Sequence, residues 1–175
     1  MSTAYSHYLL VDGYNIIHAW DELKELADAS LLNGARENLI ARLANYQGYK
    51  GIGIIVVFDA YKVKGGIEHF AWESSVGVVY TKEAETADAY IERTAHSLVR
   101  KYTVSVATSD ILEQIIILSS GAQRMSAKAL LRDIEQVEKQ IKKKTDKLKP
   151  VKNNQLTDNL DSKTAAILEK MRRGV

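Results

Sequence analysis

Four aspartates recur at the same kind of place in this chain. Asp12, in Leu9-Leu10-Val11-Asp12-Gly13-Tyr14-Asn15, and Asp59, in Ile54-Ile55-Val56-Val57-Phe58-Asp59, each end a short apolar run. Asp110 follows the run Thr103 to Ala107, and Asp88 opens the segment after Val76 to Tyr80, with Glu85 three residues before it. Carboxylates offer only hard oxygen donors, which suit Mg²⁺ or Mn²⁺. Gathered together they repel one another, and a divalent cation relieves that repulsion. The same cation orients or deprotonates a water and offsets charge on a scissile phosphate, the requirements of phosphodiester hydrolysis. Asn15, one short turn past Asp12, can hold a water, a metal or the loop itself.

Each acid also has a plainer reading. A lone Asp at a strand end fits a turn or a helix cap, and Asp110 in Thr108-Ser109-Asp110 fits capping especially well. Asp88 lies where a helix dipole alone favours an acid. Several such acids at several strand ends are harder to explain as caps. Gly13 fits a turn, Tyr14 and Tyr61 fit packing or loop positions, and His18, His69 and His96 stand isolated.

The elements that must position these groups alternate. Tyr8 to Asp12 reads as a buried strand breaking into a loop. Ser30 to Tyr49 has a helical period of apolar residues at 32, 35, 39, 40, 43 and 46, closed by Gly51 and Gly53. Ile54 to Asp59 is a second strand, 61 to 75 a loop, and Val76 to Tyr80 a third strand. Thr86-Ala87-Asp88 opens a helix that ends near Lys101-Tyr102, and Thr103 to Ala107 is a fourth strand. A further helix begins at Ser109 or Asp110. This alternation predicts βαβ units and a mostly parallel sheet, whose functional groups gather at the carboxyl ends of its strands. Asp12, Asp59, Asp88 and Asp110 should therefore share one rim.

At 175 residues and 46% hydrophobic content the chain suits one domain with a terminal extension. Residues 1 to 100 hold 9 Lys/Arg against 13 Asp/Glu, net −4, while 101 to 175 hold 15 against 9, net +6. Ser126 to Lys149 reads as a helix crowded with lysine, followed by Pro150, a polar linker and a short final helix that Asp161-Ser162 can cap. The expected division is thus 1–149, with the basic helix at its end, and 150–175. Arg124, Lys128, Arg132, Lys139, Lys142, Lys143 and Lys144, with Lys147, Lys149 and Lys152 beyond, suit either a solvated face or a track for a phosphate backbone. The chain has no cysteine, which excludes disulfides and thiolate metal sites. It has neither a secretory pattern at its start nor an apolar run near 18 residues, so a soluble, cytoplasmic protein without membrane partners is expected.

Taken in order, Leu10-Val-Asp-Gly-Tyr-Asn-Ile-Ile17, Val56-Val-Phe-Asp-Ala60, Val63-Lys-Gly65, Glu85-Thr-Ala-Asp88, Ala107-Thr-Ser-Asp110 and Arg172-Arg-Gly174 resemble the YacP-like NYN-domain proteins, bacterial PIN-like ribonucleases. The resemblance implies a PIN-like three-layer α/β fold with a central, mostly parallel sheet flanked by helices. It also implies Mg²⁺- or Mn²⁺-assisted endonucleolytic cleavage of RNA, and a role in mRNA decay on translating ribosomes. On its terms Asp12 and Asp88 are the central catalytic and metal-binding residues. Asp110 joins them as a ligand, and Asn15, Asp59, Glu85 and Asp110 support them.

Two other classes stay open. One is an RNA- or ribosome-binding adaptor with a vestigial acidic rim and a working basic helix. The other is a phosphatase of the haloacid dehalogenase type, which wants a second acid two residues after the first, where this chain has Tyr14. No residue pattern reads a 2′-hydroxyl, so RNA and DNA are not told apart by the residues.

Overall fold

The computed structural model describes residues 5–59, 68–82 and 84–148. Tyr61, the Val63-Lys64-Gly65 and Arg172-Arg173-Gly174 motifs, Lys149, Lys152, and the expected linker and final helix lie outside them. By internal packing the chain divides into Met1–Lys139 and Gln140–Val175.

The first unit is built on a six-stranded sheet in the order β3-β4-β2-β1-β5-β6. Its strands are β1 (His7–Asp12), β2 (Gly53–Phe58), β3 (His69–Glu73), β4 (Val76–Tyr80), β5 (Thr103–Thr108) and β6 (Gln123–Ser126). All neighbours are parallel except β3 and β4. The helices are α1 (Gly13–Ala19), α2 (Asp21–Asp28), α3 (Leu32–Lys50), α4 (Ala87–Leu98), α5 (Ile111–Ser119) and α6 (Ala127–Leu148). The expected mostly parallel α/β sheet with helices on both faces is what forms.

Strand side chains alternate between faces. Leu10, Val57, Val79, Val104 and Val106 point to one face, where Ala87, Ile91 and Ala95 of α4 and Ile117 of α5 pack on them. The alternate set, among them Leu9, Val11, Ile54, Val56 and Phe58, is equally buried, and α1 and α3 cover that side. Continuous apolar strands follow from this double coverage. Trp20 donates from Nε1 to the Ala127 carbonyl at 2.9 Å. Tyr46 donates to Asp133 at 2.8 Å, and Arg42 makes a two-pronged bond to Glu138 at 2.8 and 3.1 Å. These bonds seat the first turns of α6 on α1 and α3.

Three local expectations change. Asp12 does not lead into a loop, because it is both the last residue of β1 and the N-cap of α1. The expected loop at 61–75 contains strand β3, joined to β4 by Ser74 and Ser75 at φ +48° and +76°. Two consecutive positive φ values make the tight hairpin turn that normally advertises itself with Asn or Gly. Here buried Gln47 offsets the conformational cost, donating to the Ser75 carbonyl at 2.9 Å while accepting from Ile54 N at 3.1 Å. Strand β6 is a further difference, since Gln123 to Ser126 contain one apolar residue, Met125, and no apolar run, and pair only at the sheet's edge. Gly51, by contrast, closes α3 as expected, in the left-handed conformation at φ +66°.

Gly13 lies against the ring of Phe58, and a Cβ there would fall 2.2 Å from the nearest ring carbon. That ring is fully buried between Tyr14 at 5.0 Å and Tyr80 at 5.6 Å, centroid to centroid, so it cannot swing away freely. Gly13→Ala should lower unfolding stability by about 1–3 kcal/mol, the usual scale of overpacking. Denaturant unfolding measures this, and an unchanged midpoint would contradict the close approach.

Candidate metal centre

Asp12 continues the facing of Leu10, so its side chain leaves the carboxyl end of β1 on the α4 and α5 side of the sheet. The starts of those two helices arrive at the same rim. Asp88 lies in the first turn of α4 and Glu113 in the first turn of α5. One carboxylate oxygen from each of Asp12, Asp88 and Glu113 lies within 4.8 Å of the others. Asp12 and Glu113 are buried, at 7% and 6% exposure, while Asp88 opens to solvent.

Residues expected at this rim clamp the elements that carry the three acids. Asp59 accepts from Ala87 N at 2.6 Å, which ties the end of β2 to the start of α4 beside Asp88. Thr86 completes that cap, accepting from Ala89 N at 3.2 Å. Asn15 accepts from Ser109 N at 2.6 Å and from its hydroxyl at 2.5 Å, joining α1 to the turn before α5. Asp110 is the N-cap of α5, its Oδ1 accepting from Leu112 N at 2.8 Å and Glu113 N at 3.3 Å. It also lines the cavity that holds Asp88 and Glu113. Glu85 is ion-paired to Arg93 at 2.8 Å.

Glu113 was not anticipated. It is the one acid within Ile111-Leu112-Glu113-Gln114-Ile115-Ile116-Ile117, and it sits three residues after a capping Asp, where a glutamate ordinarily reads as part of a capping box. The usable signal was its isolation in an otherwise aliphatic helix.

The electrostatics are those of a site waiting for positive charge. Burial first, and the Glu113 carboxylate second, push Asp12 up to about 8, although the Asn15 N–H, donating to Asp12 Oδ1 at 3.2 Å, pulls the other way. Burial pushes Glu113 up to about 7, with Asp88 and Asp110 adding to the shift. The Thr108 hydroxyl is near enough to oppose it, yet neither Glu113 oxygen has a partner in hydrogen-bonding geometry. A buried carboxylate whose two oxygens are both unsatisfied is costly unless something else binds them. Mg²⁺ is octahedral with ligands at about 2.0–2.1 Å, so no two of its ligand atoms stand more than roughly 4.2 Å apart. The 4.8 Å bound on the three oxygens is close to that size. An all-oxygen, partly buried, electron-rich triad fits such a cation, with Asp12, Asp88 and Glu113 as its protein ligands.

The basic residues are not members of this triad. Arg124 lies on β6 and donates to Gln114 Oε1 at 3.2 Å. Lys128, Arg132 and Lys139 are exposed on α6 within the first unit, and Lys142, Lys143 and Lys144 are exposed on the part of α6 that belongs to the second.

Comparison with known proteins agrees with this architecture. Residues 9–173 match the family described as YacP-like NYN domain. The chain is 45% identical over 170 residues to the Bacillus subtilis protein YacP, described as uncharacterized, covering 95% of this chain and 96% of that one. The crystal structure of Rae1 (YacP) from Bacillus subtilis matches with a TM-score of 0.69 at 42% identity, covering 95% of each chain. A single-substitution mutant of the same protein matches with a TM-score of 0.71 at 40% identity, covering 95% and 96%.

The raised Asp12 has a signed consequence for stability. Its carboxyl goes from an ordinary 3.8 to about 8 on folding, so between those values the folded chain keeps a proton that the unfolded chain releases. Stability from this group is therefore lost as pH rises from about 4 to about 8. Without metal, Asp12→Asn should melt higher than the wild type at pH 8 by an energy on the order of 1 kcal/mol or more, and the gap should shrink towards pH 5. Mn²⁺ should raise the wild-type melting temperature at pH 8 but not that of the variant. Parallel melting curves across this range would contradict the assignment.

Proposed function

The chain belongs to the YacP-like NYN-domain family, and from that premise we propose that it is a metal-dependent endoribonuclease hydrolysing phosphodiester bonds in mRNA. The observation that carries this reading is the triad of Asp12, Asp88 and Glu113, two of them buried, one with both oxygens unsatisfied. Mg²⁺ or Mn²⁺ held there supplies an activated water and a counter-charge for the scissile phosphate and its leaving oxygen.

The chain's own residues do the rest. Asp12 is aimed by β1 and held by its bond from Asn15 N. Asp59 and Asp110 fix the helix starts that carry Asp88 and Glu113. Asn15 keeps α1 and the Ser109 turn in register, so the three carboxylates do not depend on one flexible loop. Exposed Asp88 is the side on which substrate can approach. In this reading Asp110 positions Glu113 and borders the site, with Glu113 taking the third ligand place.

The finer reading, an mRNA substrate presented by the translating ribosome in the cytoplasm, rests on family resemblance. The division into a nuclease domain at 1–149 and a tail at 150–175 rests instead on the change of composition and on Pro150. No helix among the described residues is long and apolar enough to cross a membrane. A second reading, a binding adaptor, has its own observation in the exposed lysines of α6. Converting Lys142, Lys143 and Lys144 to Gln should reduce RNA binding and flatten its salt dependence, because every phosphate deprived of its lysine keeps its counterions on binding. Equal binding at all salt concentrations would remove these lysines from the RNA track.

With purified full-length chain, RNA and Mn²⁺, Asp12→Asn, Asp88→Asn and Glu113→Gln should each lower cleavage by roughly 100-fold or more, the effect of losing several kcal/mol of charge stabilisation. Asp59→Ala should lower it less, since it acts through the position of α4. Undiminished cleavage by the Asp12 and Asp88 variants would overturn the nuclease site.

A further inference from the structure

Helix α5 has its polarity inverted. Beside Ile117, which joins the core, it buries Glu113 and Gln114, while Ile111, Leu112, Ile115, Ile116 and Leu118 stand exposed, Leu112 at 72% and Ile116 at 46%. Two of these aliphatics belong to the candidate site, because the cavity of about 180 Å³ that contains Asp88, Asp110 and Glu113 is walled by Leu112, Ile116 and Ile117, with Glu92 opposite. Glu92 also borders a shallower groove of about 370 Å³ reaching Arg93, His96 and Ser120. Asp88, Glu92 and His96 follow one another at four-residue spacing on one face of α4. At 1.5 Å per residue they span about 12 Å. The two cavities share Glu92 and lie in succession along α4, and taken together they make a channel leading away from the triad.

The chemistry of the channel changes along its length. At the triad its charged lining residues are all acidic, so a phosphate can enter only beside a bound cation. The parts of a nucleotide that remain, base and ribose, are neutral and find an aliphatic wall in Leu112 and Ile116. Arg93, whose guanidinium is ion-paired to Glu85 at 2.8 Å and would share itself with a phosphate, and His96 bring basic groups only at the far end. We propose that this channel seats a short run of single-stranded RNA, with the base next to the scissile phosphate lying on Leu112 and Ile116 and the following phosphate reaching Arg93 and His96. This rests on the ribonuclease reading and adds the surface that selects its substrate.

The test uses the full chain with Mn²⁺, a short single-stranded oligoribonucleotide, and matched oligonucleotides with an abasic residue on either side of the cleaved bond. Doubling Leu112→Ala with Ile116→Ala removes exposed side chains, so folding should persist, as melting curves will verify. KM should rise roughly tenfold, the scale of losing one partly buried aliphatic contact, with kcat changed by less than about twofold and calorimetric Mn²⁺ affinity unchanged. The abasic substrate should suffer a similar rise with wild type and no further rise with the double variant, while Leu112→Met and Ile116→Val retain most of the wild-type KM. An unchanged KM, or an equal rise on every abasic substrate, overturns the channel, and so does a loss of Mn²⁺ affinity in the double variant. If wild type cleaves no RNA, the nuclease reading fails by itself, and fluorescence anisotropy of the same oligonucleotides decides the channel separately. A tenfold weaker Kd in the double variant supports it, and an equal Kd overturns it.

Discussion

Like charges brought together at the edge of a buried sheet are the constraint on which the rest of this structure turns. Asp12, Asp88 and Glu113 approach within 4.8 Å, and two of them are almost wholly out of water. Left free, side chains of this kind would separate. They are kept in place because each stands on an element whose start is tied down: Asp12 by the end of β1 and its own cap, Asp88 by Asp59 at the head of α4, and Glu113 by Asp110 at the head of α5. Asn15 closes the frame by joining α1 to the turn at Ser109. The burial and mutual repulsion that lower the stability of the metal-free fold as pH rises are the same features that suit the cluster to a cation.

The core allows this because it is covered on both faces. The α4 and α5 face has Leu10, Val57, Val79 and Val106 beneath it, so those helices have one seating and their first turns come to one place. On the opposite face Gly13 lets α1 start directly from β1, against the packed rings of Tyr14, Phe58 and Tyr80. A loop between β1 and α1 would have let Asp12 turn away. The Tyr14 hydroxyl accepts from Arg36 at 3.0 Å, and the guanidinium also lies 5.7 Å from the centre of the Tyr80 ring. The aromatic set is thereby tied to α3.

Separate parts of the chain serve separate demands. The acidic rim gathers carboxylates of the kind that bind a divalent cation, and the largely inverted helix α5 places aliphatic surface beside it where a core-facing pattern would have hidden that surface. The basic face of α6 lies on a helix whose first turns α1 and α3 hold through Trp20, Tyr46 and Arg42. An acidic first half and a basic second half are thus consistent with one molecule that binds a cation at one place and a polyanion at others.

By itself the sequence determined the alternation of strand and helix, the parallel sheet, and Asp12 and Asp88 as its rim acids. These follow from local rules: apolar runs of strand length, helical periodicity, and chain reversal at the carboxyl ends of strands. The edge strand β3 escaped because its turn uses two serines in a conformation normally left to Asn and Gly, held by Gln47 from a distant helix. Strand β6 escaped because an edge pairing needs no apolar run. Roles within the site were decided by tertiary structure. Asp59 and Asn15 resemble ligands in sequence, yet their oxygens accept backbone N–H groups that only folding brings within reach, while Asp110 makes the local cap that its sequence also suited. Glu113 resembles half of a capping box, yet it is buried with both oxygens unsatisfied beside Asp12 and Asp88. Whether a carboxylate caps a helix or faces a cation depends on which donors surround it in space, and residue type and spacing do not encode that.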